Sequence, residues 1–324
     1  MKKHNIVVTG KTLPAAWEML QKNCEIQLWE QPTPIPREHL FVWLAKADGL
    51  FSTGKVQVDE ELLSYAPKLK VIAQSSVGYD NIDIAACTLR KIPVGNTPGV
   101  LVEATADLAF GLLLTAARRI HEGWNWVYEG RWQAGPLPLG IDLYGKTLGI
   151  VGMGQIGVAV AKRAQASGMR IIYHNRTRRA DDSILQAAYV SFDELLAQAD
   201  CIIVLTPLTP QNRGLFGSKE FAKMKPTAYF VNAARGAIVD TQALYEALKN
   251  GHIAYAAMDV TDPEPLPASH CLLTLPNILI TPHIGSATQE TRTAMAVLAA
   301  KNLLAGLAQK ALPSCVNPEV NYIG

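Results

Sequence analysis

Three apolar stretches near the end of the chain each lead into one reactive side chain. AYFVNAARG reaches Arg235, AYAAMDVTDPEP leads to Glu264, and NILITPHIGS contains His283. A guanidinium can hold an anionic substrate, an imidazole can transfer a proton, and a carboxylate can stabilise the charged imidazole. Ligands of open parallel sheets lie outside the carboxyl ends of the strands, so we expect these groups to share one site. Spacing alone leaves open that they are three solvated loop residues.

The segments that carry these residues belong to a regular alternation of apolar runs and helical patterns that begins at about Thr147. This alternation predicts a doubly wound parallel sheet. The first hundred residues alternate in the same way with shorter runs, which predicts a second and smaller α/β domain. Long helices are expected from about Val102 to Arg119 and from about Gln289 to Leu307. The predicted fold class is therefore α/β, with two doubly wound parallel sheets.

A glycine fingerprint follows the first strand of the second alternation. Gly152, Gly154 and Gly157 match G-x-G-x-x-G, with Gln155 and Ile156 between the last two glycines. TLGIV before the motif reads as a strand, and VAVAKRAQA after it reads as a helix. In this context the first glycine permits the tight turn, the second lets backbone approach a pyrophosphate, and the third lets helix and strand pack closely. The sequence predicts a dinucleotide site of the Rossmann type.

The type of dinucleotide is expected to be read at the end of the next strand, MRIIYH. NAD-binding proteins usually place an acid there, on the ribose 2′-hydroxyl. Here the strand is followed by Asn175, Arg176 and, two positions later, Arg178, and Arg176 could pair with a 2′-phosphate. We therefore expect NADP(H) to be preferred and NAD(H) to remain possible. The alternative is a solvated basic loop.

The composition sets further bounds on partners and compartment. With 324 residues, a formal net charge of +2 and 18% charged residues, the chain gives no reason to expect a nucleic acid or membrane partner. Its five cysteines are scattered and never spaced C-x-x-C, which indicates reduced thiols in a cytoplasmic protein. MKKHNIVVTG passes directly into a strand, so no secretion signal is expected, and no metal site is predicted either.

Six motifs in order resemble those of the D-isomer-specific 2-hydroxyacid dehydrogenases, in particular the glyoxylate/hydroxypyruvate and 2-ketoacid reductase branch. They are SSVGYDNID, EATADLAFGLLL, GIVGMGQIG, VNAARGAIVD, DVTDPEP and TPHIGSAT. The resemblance implies NADPH-dependent reduction of glyoxylate, hydroxypyruvate or 2-ketogluconate to D-2-hydroxy acids. It also implies a Rossmann domain over residues 102–290, a flavodoxin-like substrate domain over residues 1–101 and 291–324, and a homodimer.

The resemblance assigns a role to each reactive group. Arg235 would bind the carboxylate and carbonyl of the substrate, His283 would transfer the proton, and Glu264 would stabilise the imidazolium. The turn Ser76-Val77-Gly78 would present backbone N–H groups to the substrate carboxylate. Ser286 is a further substrate candidate. Cofactor contacts carried over, besides Arg235 and His283, are Thr105, Thr206, Pro207, Ala233 and Asp259.

Other members of the same superfamily provide rival interpretations. Transcriptional co-repressors keep the fold and the three reactive groups, yet act as NAD(H)-sensing binding modules, so the motifs alone leave this alternative open. Formate dehydrogenases carry Gln where this chain has Glu264, and many phosphoglycerate dehydrogenases append a regulatory domain. In place of the aromatic residue that some reductases of this branch offer to a neighbouring subunit, this chain has Leu137, Pro138 and Leu139. The sequence does not name the 2-keto acid.

Overall fold

The computed structural model describes residues 3–54, 56–181, 183–320 and 322, which form two compact units. Unit 1 comprises Met1–Leu101 and Thr288–Gly324, and unit 2 comprises Val102–Ala287. Each unit contains one sheet in which every paired strand is parallel. Helices separate most successive strands, so the predicted α/β fold class with two parallel sheets is confirmed.

Unit 1 has a five-stranded sheet with the order β2-β1-β3-β4-β5, the flavodoxin-like arrangement. The inner strands β3 and β4 are buried at every position, as expected for parallel strands covered on both faces. The last helix of the chain, α11, packs against α1 and β4. The strands are β1 His4–Val8, β2 Cys24–Leu28, β3 Gly49–Ser52, β4 Val71–Gln74 and β5 Val94–Gly95. The helices are α1 Pro14–Asn23, α2 Arg37–Leu44, α3 Glu60–Ser64, α4 Ile84–Leu89 and α11 Gln289–Leu307.

Unit 2 has a seven-stranded sheet with the order β12-β11-β10-β9-β6-β7-β8. Its core is built from apolar strand residues and from α5 and α7. The strands are β6 Thr147–Val151, β7 Arg170–His174, β8 Ala187–Tyr189, β9 Cys201–Val204, β10 Tyr229–Asn232, β11 Tyr255–Met258 and β12 Ile278–Ile280. The helices are α5 Val102–Ala117, α6 Ile120–Tyr128, α7 Gln155–Ala166, α8 Phe192–Gln198, α9 Ser218–Lys223 and α10 Thr241–Lys249.

The strand order of unit 2 reverses between β6 and β9. From β6 the chain first builds outward through β7 and β8, then crosses to β9 and builds the other way through β12. This reversal leaves a crevice at the carboxyl ends of β6 and β9, where the connections leave on opposite sides of the sheet. The loops that follow β6 and β9 therefore flank the position where open α/β sheets bind their ligands.

Three elements of unit 2 differ from the expectation or were not predicted. The helix expected to reach Arg119 ends at Ala117, because Arg119 has a left-handed backbone with φ 52° and a new helix, α6, begins after it. The sequence pattern did not indicate β8 or α9, which are three and six residues long. Elements this short contain too few residues for their hydrophobic period to be recognised.

Candidate active site

The predicted reactive residues follow three neighbouring strands at one edge of the unit 2 sheet. β10, β11 and β12 are adjacent and parallel, so their carboxyl ends meet at the same edge. The segments after these strands carry Arg235, Glu264 and His283, respectively. Residues 19 to 48 positions apart in sequence are thus delivered to the edge where such sheets bind ligands.

His283 and Glu264 form a hydrogen-bonded pair. Nδ1 of the imidazole lies 2.8 Å from Oε1 of the carboxylate, and the two side chains keep 43% and 35% of their area exposed. A proton on Nδ1 is donated to Glu264, which leaves Nε2 of His283 as the ring nitrogen for a substrate. The pair therefore has the geometry of an oriented acid–base group.

The turn that carries His283 is anchored by the buried carboxylate of Asp259. Its Oδ1 accepts hydrogen bonds from Thr281 Oγ1 at 2.7 Å and from the backbone N–H of Ile284 at 2.8 Å, and its Oδ2 accepts from the N–H of Gly285 at 2.8 Å. His283 itself has φ 55°, an unfavourable backbone for a residue with a Cβ, and its N–H donates to the Asp259 carbonyl. Asp259 therefore holds the imidazole in a strained but defined position.

Arg235 is held by its backbone. Asn232, the last residue of β10, is fully buried; its side-chain amide donates to the Arg235 carbonyl at 2.9 Å and accepts from the N–H of Ala234 at 3.0 Å. The arginine Nη1 donates to the carbonyl of Ala234 at 2.8 Å. The end of β10 thus fixes the backbone of Arg235. The arginine side chain is half-buried and remains partly open to solvent.

Gly236 brings the segment after β10 against the segment after β11. A Cβ on this residue would lie 2.0 Å from the carbonyl carbon of Thr261, which is inside the backbone of the segment leading to Glu264. Only glycine permits this approach without a shift of one segment. The spacing between the segments that carry Arg235 and Glu264 therefore depends on glycine at position 236.

The glycine fingerprint has the geometry that a dinucleotide requires. Gly152 has φ 104°, and a Cβ there would lie 2.5 Å from the backbone N of Thr206, so the loops after β6 and β9 touch. A Cβ on Gly157 would lie 2.6 Å from the Gly152 carbonyl oxygen. A Cβ on Gly154 would meet no atom within 4 Å, which leaves the start of α7 open to a phosphate. These residues fit a nicotinamide dinucleotide.

The segment after β7 holds this loop from one side. The N–H of Met153 donates to Asn175 Oδ1 at 2.7 Å, and Nη1 of Arg179 donates to the Met153 carbonyl at 3.1 Å. Arg179 also forms a two-bond ion pair with Asp181, which holds the pKa of that carboxyl below its usual range. Asn175 is thus engaged with the glycine loop, while Arg176 is exposed.

In unit 1, the carbonyl groups of the predicted turn Ser76-Val77-Gly78 are hydrogen-bonded to described residues and its N–H groups are not. Its three carbonyl groups accept hydrogen bonds from within the unit, whereas none of its three N–H groups donates one within the part of the chain that the structure describes. All three residues are half-buried. Successive unbonded N–H groups attract an anion, and a substrate carboxylate would satisfy them.

The remaining predicted contacts lie near these features of unit 2 or are exposed. A Cβ on Gly285 would lie 3.5 Å from Thr105 Cγ2 on α5, so the largely buried Thr105 borders the turn of His283. Thr206 lies two residues after the end of β9, Ala233 directly follows β10, and Ser286 follows the Asp259-anchored turn. The structure leaves exposed the predicted contacts Gln155, Arg178 and Pro207, while Ile156 is half-buried.

Sequence reasoning missed several residues that shape the site. Asp259 was expected only as a cofactor contact, and Arg179 and Asn96 were not singled out. Their partners come from distant segments, so no local pattern marks them.

Within the described ranges, no helix is long and apolar enough to cross a membrane, and no three potential metal ligands converge.

Comparison with known proteins gives consistent matches over almost the whole chain. A family model described as "D-isomer specific 2-hydroxyacid dehydrogenase, NAD binding domain" matches residues 110–285. Glyoxylate reductase of Thermococcus litoralis is 47% identical, with 98% of each chain covered. Glyoxylate reductase of Aeropyrum pernix is 45% identical, with 99% of this chain and 98% of the relative covered. The structure of an NADPH-dependent glyoxylate/hydroxypyruvate reductase from Sinorhizobium meliloti, in complex with NADP and malonate, matches with a TM-score of 0.91 at 32% identity, covering 100% of this chain and 99% of that one.

Proposed function

Because the chain belongs to the D-isomer specific 2-hydroxyacid dehydrogenase family and is an NAD(P)-dependent oxidoreductase, we propose that it reduces small 2-keto acids to D-2-hydroxy acids with NADPH. Glyoxylate and hydroxypyruvate come first as substrates, since relatives that match over nearly their whole length are named for them; 2-ketogluconate is the next candidate. The observation that carries the proposal is the His283–Glu264 hydrogen bond of 2.8 Å, because reduction of a carbonyl needs an oriented proton donor.

The side chains divide the chemistry between them. When bound, NADPH would supply the hydride that the carbonyl carbon accepts. Protonated His283 donates its Nε2 proton to the carbonyl oxygen as negative charge develops there, and Glu264 stabilises the imidazolium through Nδ1. Arg235 binds the carboxylate and polarises the carbonyl through parallel hydrogen bonds. In the oxidative direction neutral His283 takes the hydroxyl proton instead.

The proposal gives each unit a task. Unit 2 would hold the dinucleotide, and the open start of α7 beside Gly154 would bind its pyrophosphate. In unit 1, the unbonded N–H groups of Ser76, Val77 and Gly78 would bind a carboxylate. Malonate bound by the Sinorhizobium meliloti relative is itself a small dicarboxylate, which supports a carboxylate-binding role for such a protein.

The main test follows NADPH oxidation by absorbance with glyoxylate, hydroxypyruvate and 2-ketogluconate, in the wild type and in His283→Ala. We expect turnover by the wild type and a loss of about 10²- to 10⁴-fold in the variant, with NADPH binding retained. NADPH binding without oxidation of NADPH by any of these acids would instead indicate a cofactor-sensing binding module. An active His283→Ala variant would remove the imidazole as proton donor.

Preference for NADPH over NADH rests on the segment after β7. No acid stands at its start to repel a 2′-phosphate, and the exposed guanidinium of Arg176 is available to pair with it. Arg176→Asp should therefore lower kcat/KM with NADPH and raise it with NADH. Because the fixed Asn175–Met153 contact is unchanged in this variant, equal losses with both cofactors would show that Arg176 does not read the phosphate.

A homodimer is the assembly we propose, with a second copy covering α6. None of its residues is buried, and Trp124, Val127 and Tyr128 expose 63%, 57% and 78% of their area. An apolar helix face of this kind is typical of a subunit interface. Sedimentation velocity should give a dimer for the wild type and a monomer for Trp124→Glu, and a monomeric wild type would contradict the proposed assembly.

A further inference from the structure

The carbonyl groups of turn 76–78 accept hydrogen bonds from four donors of unit 1. The Ser76 carbonyl accepts from the N–H of Thr97 at 3.0 Å, and the Val77 carbonyl accepts from Asn96 Nδ2 at 2.9 Å. The Gly78 carbonyl accepts from Gln74 Nε2 and from Ser76 Oγ, both at 2.7 Å. All three carbonyls of the turn are thus hydrogen-bonded, while its three N–H groups have no partner among the described residues.

Asn96 is the link between this turn and the C-terminal part of the chain. Its side chain is 7% exposed; Nδ2 donates to Val77, and Oδ1 accepts from Ser314 Oγ at 2.9 Å. Asn302, fully buried on α11, donates to the Asn96 carbonyl at 2.9 Å and accepts from the N–H of Ser314 at 3.0 Å. Each amide group therefore has one donor and one acceptor in use.

The approach of Asn302 depends on a glycine. A Cβ on Gly95, the last residue of β5, would lie 2.6 Å from Cβ of Asn302. The backbone of β5 and the side chain of α11 are therefore packed in direct contact beside Asn96. Such a buried and satisfied polar network specifies one arrangement of the groups it connects, because each unpaired alternative leaves a polar atom without water or a partner.

We propose that Asn96 is a positioning residue for substrate-carboxylate binding, and that Asn302 and Ser314 set its orientation. The inference rests on the proposed function of turn 76–78 as the carboxylate site. The primary amide of Asn96 both donates to the Val77 carbonyl and accepts from the Ser314 hydroxyl, whereas a carboxylate in its place could only accept. Removal of the donor frees the peptide group between Val77 and Gly78 to rotate, and with it the N–H of Gly78.

The test uses oxalate, a small dicarboxylate that the protein does not reduce, and measures its dissociation constant by calorimetry with NADPH present. Asn96→Asp keeps the acceptor for Ser314 but places a negative oxygen against the Val77 carbonyl. We expect oxalate to bind about tenfold to a hundredfold more weakly, with the NADPH dissociation constant unchanged. KM for the keto acid should rise by a similar factor. Ser314→Ala, which removes only the support of Asn96, should weaken oxalate by a few-fold, about three to five times.

Asn317→Asp is the matched control. Asn317 is as buried as Asn96, at 1% exposed, and its side chain bonds to Val94, Thr88 and Ile92 but not to the turn. It should lower the unfolding midpoint yet leave oxalate affinity unchanged. Wild-type affinity in both Asn96→Asp and Ser314→Ala, or an equal loss in Asn317→Asp, would overturn the inference. Should Asn96→Asp fail to fold, Ser314→Ala decides the question alone. If the wild-type protein does not bind oxalate, both the role of Asn96 and the proposed carboxylate site are overturned. If the wild type binds oxalate tightly and Asn96→Asp and Ser314→Ala bind it equally well, only the role of Asn96 is overturned.

Discussion

Asp259→Asn is the substitution that most directly tests how the catalytic imidazole is positioned. The side chain is 2% exposed, and its two oxygens accept three hydrogen bonds of 2.7–2.8 Å from residues 281–285, on either side of His283. Asparagine has the same shape, so the packing is kept. It replaces one acceptor oxygen by an NH₂ group, however, and removes the negative charge.

The magnitude follows from those three bonds. An NH₂ group in place of Oδ2 faces the N–H of Gly285, so one charge-assisted bond is lost, which costs about 1.5–3 kcal/mol. The two bonds to Oδ1 become neutral and weaken by about 0.5–1 kcal/mol each. The opposite orientation of the amide is worse, because NH₂ then faces the N–H of Ile284. We therefore expect the anchored turn to be destabilised by about 3 kcal/mol, which is equivalent to roughly a hundredfold in population.

The assay combines steady-state rates with urea unfolding. Because His283 has a left-handed backbone that is maintained by this turn, kcat/KM should fall by about a hundredfold, and the free energy of unfolding by up to about 3 kcal/mol. Thr281→Val is the graded control: it removes one of the three bonds and should cost about tenfold or less. An Asp259→Asn variant that keeps wild-type kcat/KM would refute the view that this carboxylate positions the imidazole.

Three further predictions concern the neighbouring structure. Gly236→Ala adds a Cβ 2.0 Å from the carbonyl carbon of Thr261. The backbone shift of about 1 Å that relieves this clash should lower kcat/KM about a hundredfold. Steady-state rates that stay at the wild-type level would contradict the close packing of the two segments. Glu264→Gln should lower kcat/KM for reduction, because the imidazole loses the carboxylate that accepts its Nδ1 proton and orients it, and an unchanged kcat/KM would argue against the pair. Burial raises the pKa of the Cys201 thiol to about 12, so iodoacetamide should modify the half-buried Cys271 first in the native protein at mildly alkaline pH; early labelling of Cys201, read by mass spectrometry, would contradict this order.

The sequence predicted most regular elements because their periods are local. The strand-like run TLGIV and the glycines that follow it became β6 and the open turn at the start of α7, and the helix expected from about Gln289 to Leu307 has those bounds. The predicted end of α5 was wrong by two residues, since Arg119 has a left-handed backbone that the hydrophobic period of the helix does not indicate. Short elements such as β8, with three residues, were not predicted because they contain too few residues to show a hydrophobic period.

The sequence by itself determined the fold class, the order of the reactive groups along the strands, and the glycine fingerprint, because hydrophobic period, turn chemistry and motif spacing are written in consecutive residues. Only the tertiary structure decided what holds those groups in place. Asp259 reaches a turn more than twenty residues away, and Asn96 is supported by Asn302 and Ser314 from the far end of the chain. A buried hydrogen bond between distant segments forms only after apolar packing has brought those segments together, so it leaves no pattern in the sequence around either partner.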